Sequence, residues 1–121
     1  MIFRAMNILF WLSVAFTLLM ATLPAPPTIP GELGDKLHHL LAFAILTSLA
    51  VIAFRTASLT LIALCLAGFG ALIELLQMLP IIGRDGEVSD WLADCAAILS
   101  VLLVVQLKHR FSAIISLRKS I

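Results

Sequence analysis

Polar side chains recur at helical spacing within an otherwise apolar chain. Eight of them form the candidate site, and they comprise four carboxylates, two cations, an imidazole and an amide: Asp35, Lys36, His39, Glu74, Gln77, Arg84, Asp90 and Asp94. In three segments, two of these side chains are three or four residues apart and therefore share one face of a helix. Carboxylates beside an imidazole can transfer protons, and a neighbouring arginine can bind an anionic group.

Glu74 is the most informative of these residues because it lies inside a long apolar run, residues 59–79. An acidic side chain at the centre of a membrane helix costs about 2.5 to 3.5 kcal/mol, so such groups face protein or water rather than lipid. As a structural group, Glu74 would bond Gln77 or a cation of a neighbouring helix. As a functional group, it would bind a ligand or hold a proton.

The other candidates also have structural alternatives. Asp35 could simply cap a helix while Lys36 extends its ammonium group to the membrane interface. Arg84 is either a free loop cation or a bidentate ligand for phosphate or carboxylate. Asp94 lies one turn deeper than Asp90, which makes a purely capping role harder to assign to it.

Composition places these residues in a membrane. The chain has 121 residues, of which 62% are hydrophobic and 12% are charged, whereas soluble domains are about 45–50% apolar and 25% charged. A span needs about 20 residues. The sequence therefore predicts an all-α integral membrane protein, a single domain over residues 1–121 that forms a compact bundle of four transmembrane helices in a lipid bilayer.

The helix boundaries follow from the breaks between apolar runs. Asp35 is a predicted N-cap, Pro80 is predicted to end the third helix, and Ser89 or Asp90 is predicted to cap the fourth. The proline-rich segment 23–34 is predicted to be an extended loop, and the short stretch 55–58 a turn that makes its flanking helices antiparallel. The predicted helices cover residues 5–23, 36–54, 59–79 and 91–107.

Both ends of the chain allow a second interpretation. The first apolar run could be a cleaved signal peptide, although it is longer than the roughly 7–15 apolar residues of such leaders. The cationic, apolar segment 108–121 could be a separate short helix lying on an anionic leaflet, or a simple continuation of the fourth helix.

The charges predict an orientation. Two of the eight lysines and arginines, Lys36 and Arg84, fall on one predicted side, together with or near all seven acids. The positive-inside rule then places both termini in the cytoplasm and the candidate site on the outer face of the inner or plasma membrane. The other six cations share the cytoplasmic side: Arg4, Arg55, Lys108, Arg110, Arg118 and Lys119.

The order of short motifs resembles a family. Asp35-Lys36-x-x-His39 is followed by Phe43, Arg55, Glu74-x-x-Gln77-x-x-Pro80, Arg84 and Asp90-x-x-Ala93-Asp94. Over residues 35–105 this pattern resembles the VanZ-like membrane proteins. Two departures are Asp94, where the family commonly has Asn, and Ala97 or a neighbour, where Gly is usual. The resemblance implies a four-helix bacterial membrane protein of the cell envelope, in some cases with reduced susceptibility to teicoplanin, an antibiotic-resistance phenotype.

Three functional hypotheses follow. The first is an envelope protein whose outward polar pocket binds a cell-wall precursor, an amphiphile or a glycopeptide-like ligand. The second is a membrane-embedded enzyme acting on a lipid-linked precursor, with His39 and Glu74 as acid and base. The third is a small transporter that couples substrate to protons through Glu74. The spacing contains no HExxH or paired CxxC motif, so no metal or other cofactor is expected. No nucleic-acid partner is expected, and the sequence gives no oligomeric state.

Overall fold

The structure is a bundle of four α-helices. The computed structural model of the protein describes residues 1–24 and 32–120, and within these ranges no strand occurs. All four helices are long and apolar enough to cross a membrane, since about 20 residues span the roughly 30 Å hydrocarbon core. The predicted all-α, four-helix membrane fold is therefore confirmed. The helices are α1 (Ile2–Thr22), α2 (Glu32–Ala53), α3 (Leu59–Gln77) and α4 (Val88–Lys119).

The core lies along α2, where that helix faces α3 and α4. Phe43, Leu46, Ile73 and Ile98 are almost fully buried there, which matches the packing role expected of Phe43. Long apolar side chains such as Leu64 instead point outwards, as they do when lipid tails surround a bundle. Helices α2 and α3 each pack against the other three helices, whereas α1 and α4 do not pack against each other within the described residues.

Three helices start earlier than predicted, and α1 begins at Ile2 rather than at residue 5. Helix α2 begins at Glu32, so Asp35 lies in its first turn and does not cap it. Helix α4 begins at Val88 after the N-cap Glu87, so Asp90 also lies in a first turn, where a carboxylate complements the helix dipole.

The connections are mostly as predicted. Ser58 caps α3 by accepting a hydrogen bond from the Leu61 N–H at 3.1 Å, and residues 55–58 form the expected short turn. Helix α3 ends at Gln77, two residues earlier than predicted, because the Leu79 N–H donates to the Leu76 carbonyl three residues back at 3.1 Å. Such a tighter turn is common at helix ends. The predicted proline-rich loop falls mainly on residues 25–31, which lie outside the described residues.

Helix α4 continues through the basic tail. It runs without a break from Val88 to Lys119, 32 residues, which corresponds to about 48 Å at the helical rise. The segment 88–119 contains no glycine or proline, the residues that most often kink or end a helix. The tail is thus a continuation of the fourth helix, and the separate interfacial helix is wrong. Beyond Leu102 almost all of its side chains are exposed.

The two ends of the bundle carry different charges. At what we term the basic end, the Arg55 guanidinium lies 4.9 Å from the centre of the Phe3 ring. A cleft of about 700 Å³ there is lined by Phe3, Arg55, Ser58 and His109, among others. The opposite end, which we term the acidic end, holds the C-terminal ends of α1 and α3 and the N-terminal ends of α2 and α4. The eight candidate site residues lie at this end too. The helices therefore alternate in direction, up and down, as their short connections require.

Candidate functional site

Four of the predicted residues converge at the acidic end around one imidazole. We term His39, Glu74, Asp90 and Asp94 the His39 centre. His39 Nδ1 lies 2.9 Å from Asp94 Oδ1, while Nε2 lies 3.7 Å from Glu74 Oε1 and 4.0 Å from Asp90 Oδ2. His39 is 8% exposed, Glu74 5%, Asp90 3% and Asp94 0%. Three helices thus supply one buried polar cluster.

Helix register brings these side chains together. His39 lies two turns inside the start of α2, Glu74 one turn before the end of α3, and Asp94 fewer than two turns inside the start of α4. Because α2 and α4 both begin at the acidic end and α3 ends there, the three positions fall at similar depth. Each side chain lies on the face of its helix that points towards the other two helices.

A glycine allows α3 and α4 to approach closely at this depth. A Cβ atom added to Gly70 would lie 2.7 Å from Asp94 Oδ2 and 3.3 Å from Trp91 Cδ1. Trp91 also donates its indole N–H to the Ala67 carbonyl at 3.0 Å. Trp91 therefore joins α4 to α3 rather than serving only as an interfacial anchor. Small residues at membrane-helix contacts permit this kind of approach.

Glu74 has one bonded and one unbonded oxygen. Its Oε2 accepts a hydrogen bond from the Glu87 backbone N–H at 2.8 Å, immediately before α4 begins. Gly86 makes this contact possible, because a Cβ atom there would collide with the Glu74 carbonyl. Gln77 is wrong as the hydrogen-bond partner of Glu74, whereas His39 of the neighbouring helix α2, a cation when protonated, lies 3.7 Å from Glu74 Oε1. A backbone donor from a loop 13 residues further on carries no sequence signal.

Gln77 and Arg84 lie outside the His39 centre. Gln77 Nε2 and Arg84 Nη1 each donate to the Ala21 carbonyl at 3.0 Å, and Arg84 Nη2 donates to Asp35 Oδ1 at 3.3 Å. Both side chains thereby fasten the end of α1 to the rest of the bundle. Arg84 is not a free loop cation, because its bonds hold it beside Asp35, which has a carboxylate oxygen within 4.8 Å of ligand atoms of His39 and Asp90. Its ligand-binding role stays a prediction.

Lys36 lies at the rim of the cluster. Its Nζ is 3.7 Å from Asp90 Oδ1 and 3.7 Å from Glu87 Oε2. The Lys36 and Glu87 side chains are 37% and 55% exposed, so they form the boundary between the buried cluster and its surroundings. Glu87 was absent from the candidate residues, because an acid in a charged loop carries no sequence signal of this position.

The buried carboxylates are incompletely neutralised. Glu74, Asp90 and Asp94 face the His39 imidazole and the Lys36 ammonium group, while Asp35, which has an oxygen within 4.8 Å of ligand atoms of His39 and Asp90, is paired with Arg84. Three oxygens are buried without a hydrogen-bond partner among the described residues: Glu74 Oε1, Asp90 Oδ1 and Asp94 Oδ2. Such groups are costly in a medium of low polarity unless they are paired. The arrangement therefore favours positive charge at the His39 centre, supplied by protons or by a bound cation.

Comparison with known proteins adds no relative. No family model, no curated protein and no solved structure matches the chain. The resemblance to VanZ-like proteins thus depends on the motif residues alone and stays a prediction.

Proposed function

We propose that this chain is a VanZ-like protein of the bacterial inner or plasma membrane that acts by acid–base chemistry on the polar head of an envelope amphiphile. The observation that carries this proposal is the pairing of buried Asp94 with one nitrogen of His39 while Glu74 faces the other. A lipid-linked or cell-wall precursor is the substrate class that fits a polar site in a lipid-surrounded bundle.

The acid–base role follows from the hydrogen bond at Nδ1. A carboxylate accepting from Nδ1–H favours the tautomer whose Nε2 is unprotonated, and it stabilises the imidazolium ion once Nε2 takes up a proton. Nε2 faces Glu74 Oε1 at 3.7 Å and Asp90 Oδ2 at 4.0 Å. His39 can therefore accept a proton at Nε2, with Glu74 as the neighbouring group that exchanges protons with it.

The position of the centre supports an amphiphilic substrate. The outer surface of the helices is apolar and suited to acyl chains, whereas Lys36 and Glu87 present charges at the rim within a few ångströms of Asp90. An amphiphile with its tail among the lipids would present its head group at this rim. The mixed charge of the rim suits a zwitterionic head group better than a purely anionic one.

A non-catalytic binding protein is the second candidate, and the exposed Lys36–Glu87 rim favours it. Such a protein would bind a cell-wall precursor or a glycopeptide-like ligand and thereby lower susceptibility to teicoplanin. It needs polarity at the His39 centre but no proton transfer. Glu74→Gln separates the two candidates, because the amide keeps the size and polarity of the side chain and removes its acid–base capacity.

The function is tested in cells that express the chain. We expect His39→Ala and Glu74→Gln to abolish the difference in teicoplanin susceptibility between expressing and non-expressing cells, since a general acid or base contributes about 10²- to 10⁴-fold to a rate. Mass spectrometry of lipid extracts measures the accompanying change in envelope precursors. His38→Ala is the matched control, because His38 is the exposed neighbour on α2.

The possible results distinguish between the two candidate functions. Unchanged susceptibility and lipid composition for both variants, with normal membrane insertion, would contradict a working role for the His39 centre. If His39→Ala abolishes the difference in teicoplanin susceptibility but Glu74→Gln retains it in full, the result would favour the binding protein.

Orientation has its own test. We propose that both termini are cytoplasmic, because six of eight basic residues cluster on that side. A reporter fused after Ser120 should indicate the cytoplasm, and one inserted at Asp85 should indicate the opposite side. Reporters of the two compartments, such as alkaline phosphatase and a fluorescent protein, give complementary signals. The same side for both fusions would contradict a single membrane crossing by α4 between Asp85 and Ser120.

A further inference from the structure

We propose that the His39 centre binds a divalent cation of the first-row transition series, with His39 and Glu74 as ligands and Asp94 as the residue that orients the imidazole. Donor atoms of His39, Glu74 and Asp94 all lie within 4.8 Å of one another, and all three residues are buried. The inference rests on the proposed function, because it concerns the same centre and reassigns one of its roles.

The unpartnered oxygens are the first argument for a cation. Glu74 is more than nine-tenths buried, and its Oε1 points to His39 Nε2 at 3.7 Å without a hydrogen-bond partner among the described residues. Oxygen and nitrogen ligands bonded to zinc at about 2.0–2.2 Å can be separated by 3.7 Å when the angle at the metal is wide. A cation between these two atoms would satisfy both with small side-chain movements.

Asp94 supplies the second argument. Metal-binding histidines almost always donate their other ring N–H to a carboxylate or carbonyl, which fixes the tautomer and the ring orientation. Asp94 Oδ1 lies 2.9 Å from Nδ1, and Asp94 is completely buried, so it holds the ring with Nε2 directed at Glu74. Asp90 Oδ2, 4.0 Å from the same nitrogen, is the next oxygen available, and water completes the coordination.

Charge is the third argument. Glu74, Asp90 and Asp94 place three carboxylates around a single imidazole, and the nearest ammonium group, that of Lys36, lies 3.7 Å from Asp90 at the rim. A fourth carboxylate near His39, that of Asp35, is already paired with the Arg84 guanidinium at 3.3 Å. A divalent cation balances two of these negative charges. The sequence-based expectation of no metal rests on the absence of motifs such as HExxH, in which the ligands lie on one segment. Here the ligands come from three helices that are far apart in the sequence.

A bound cation would change which group at the His39 centre transfers protons. With His39 Nε2 bound to the metal, proton transfer would pass to a water molecule on the cation. The pKa of that water falls towards neutrality when it binds zinc. Imidazole with carboxylate ligands suits zinc, and zinc ranks above manganese and iron(II) in affinity for such sites. Zinc is therefore the probe of choice.

The test uses the full-length protein, purified in detergent through a tag without histidines. After chelator treatment, incubation with zinc chloride and desalting, we expect about one zinc ion per chain by elemental mass spectrometry. Competition with a zinc-binding dye should show affinity lower by at least 100-fold for His39→Ala and by about 10- to 100-fold for Asp94→Asn. His38→Ala should bind zinc like the original chain.

Several outcomes would overturn the inference: far less than one zinc per chain in the unmodified protein at 100-fold molar excess, or unchanged affinity in His39→Ala. Should that variant not fold, X-ray absorption of the zinc-loaded original chain decides the matter, because it must show imidazole nitrogen together with oxygen ligands. Stoichiometric zinc without any effect of His39→Ala on susceptibility would refute the proposed function alone. A phenotype that depends on His39 in a protein that binds no zinc would refute the cation alone.

Discussion

Asp94→Ala is expected to lower the free energy of unfolding by about 3 kcal/mol, near the lower end of the cost of breaking a buried ionic pair. Asp94 is completely buried, and its Oδ1 is the closest partner of the buried His39 ring, at 2.9 Å. Removal leaves the Nδ1–H donor unpaired. The decrease in the free energy of unfolding is moderated because removal of the Asp94 carboxylate also removes its repulsion of Glu74 and Asp90.

The measurement is denaturant-induced unfolding in detergent micelles, followed by tryptophan fluorescence in a Trp11→Phe background, so that the signal reports Trp91, which packs beside the site. Asp94→Asn is the conservative variant: its amide oxygen still accepts from Nδ1–H, so a loss of only about 1 kcal/mol is expected. Ser100→Ala is the matched control on α4, because that hydroxyl is exposed and bonds only the Ala96 carbonyl of its own helix. Equal stability of Asp94→Ala and Ser100→Ala would show that the His39–Asp94 contact contributes nothing.

Gly70→Ala is expected to destabilise the bundle by about 1–3 kcal/mol, the usual cost of inserting a methyl group into a packed contact. The added Cβ would lie 2.7 Å from Asp94 Oδ2, so either α3 and α4 separate or Asp94 turns away from His39. In both cases the Trp91 bond to the Ala67 carbonyl weakens. The variant should therefore lose stability and activity together, although it removes no polar group.

Gly68→Ala provides a control within the same helix. A Cβ atom at Gly68 would meet nothing within 4 Å, and alanine is favoured over glycine inside a helix by about 1 kcal/mol. Gly68→Ala should therefore be neutral or stabilising in the same unfolding assay. A loss of stability of similar size in both variants would contradict the close contact between α3 and Asp94.

The helices and the meeting of three polar faces could be predicted from the sequence. Four apolar runs separated by prolines, charges and a short turn leave few alternatives to a bundle. His39, Glu74 and Asp94 each lie within about two turns of a helix end on the same side, so antiparallel packing brings them to one depth. The i, i+4 spacing of Asp90 and Asp94 indicated the facing direction of α4, whereas Gln77, three residues after Glu74, bonds the Ala21 carbonyl and not the centre.

The partners of the surrounding residues could not be predicted. Gln77 and Arg84 both bond the Ala21 carbonyl, and Glu74 bonds the Glu87 N–H. Backbone groups carry no side-chain signal, and their availability depends on where a helix ends in three dimensions. Helix ends were also uncertain, because capping residues such as Asp35 are equally stable inside a first turn. A charged, apolar tail such as residues 108–119 lacks the breaker that would have set the end of α4.

Because α4 is one unbroken helix, it can act as a rigid rod that couples the two ends of the bundle. Asp90 and Asp94 lie near one end of this helix, and Lys108, Arg110, Arg118 and Lys119 lie along its other end. A rod without a glycine or proline hinge transmits tilt, so a change in its angle at the basic end displaces the carboxylates beside His39. Attraction between the cationic arm and anionic lipid head groups would thus act mechanically on the centre at the other end of the helix.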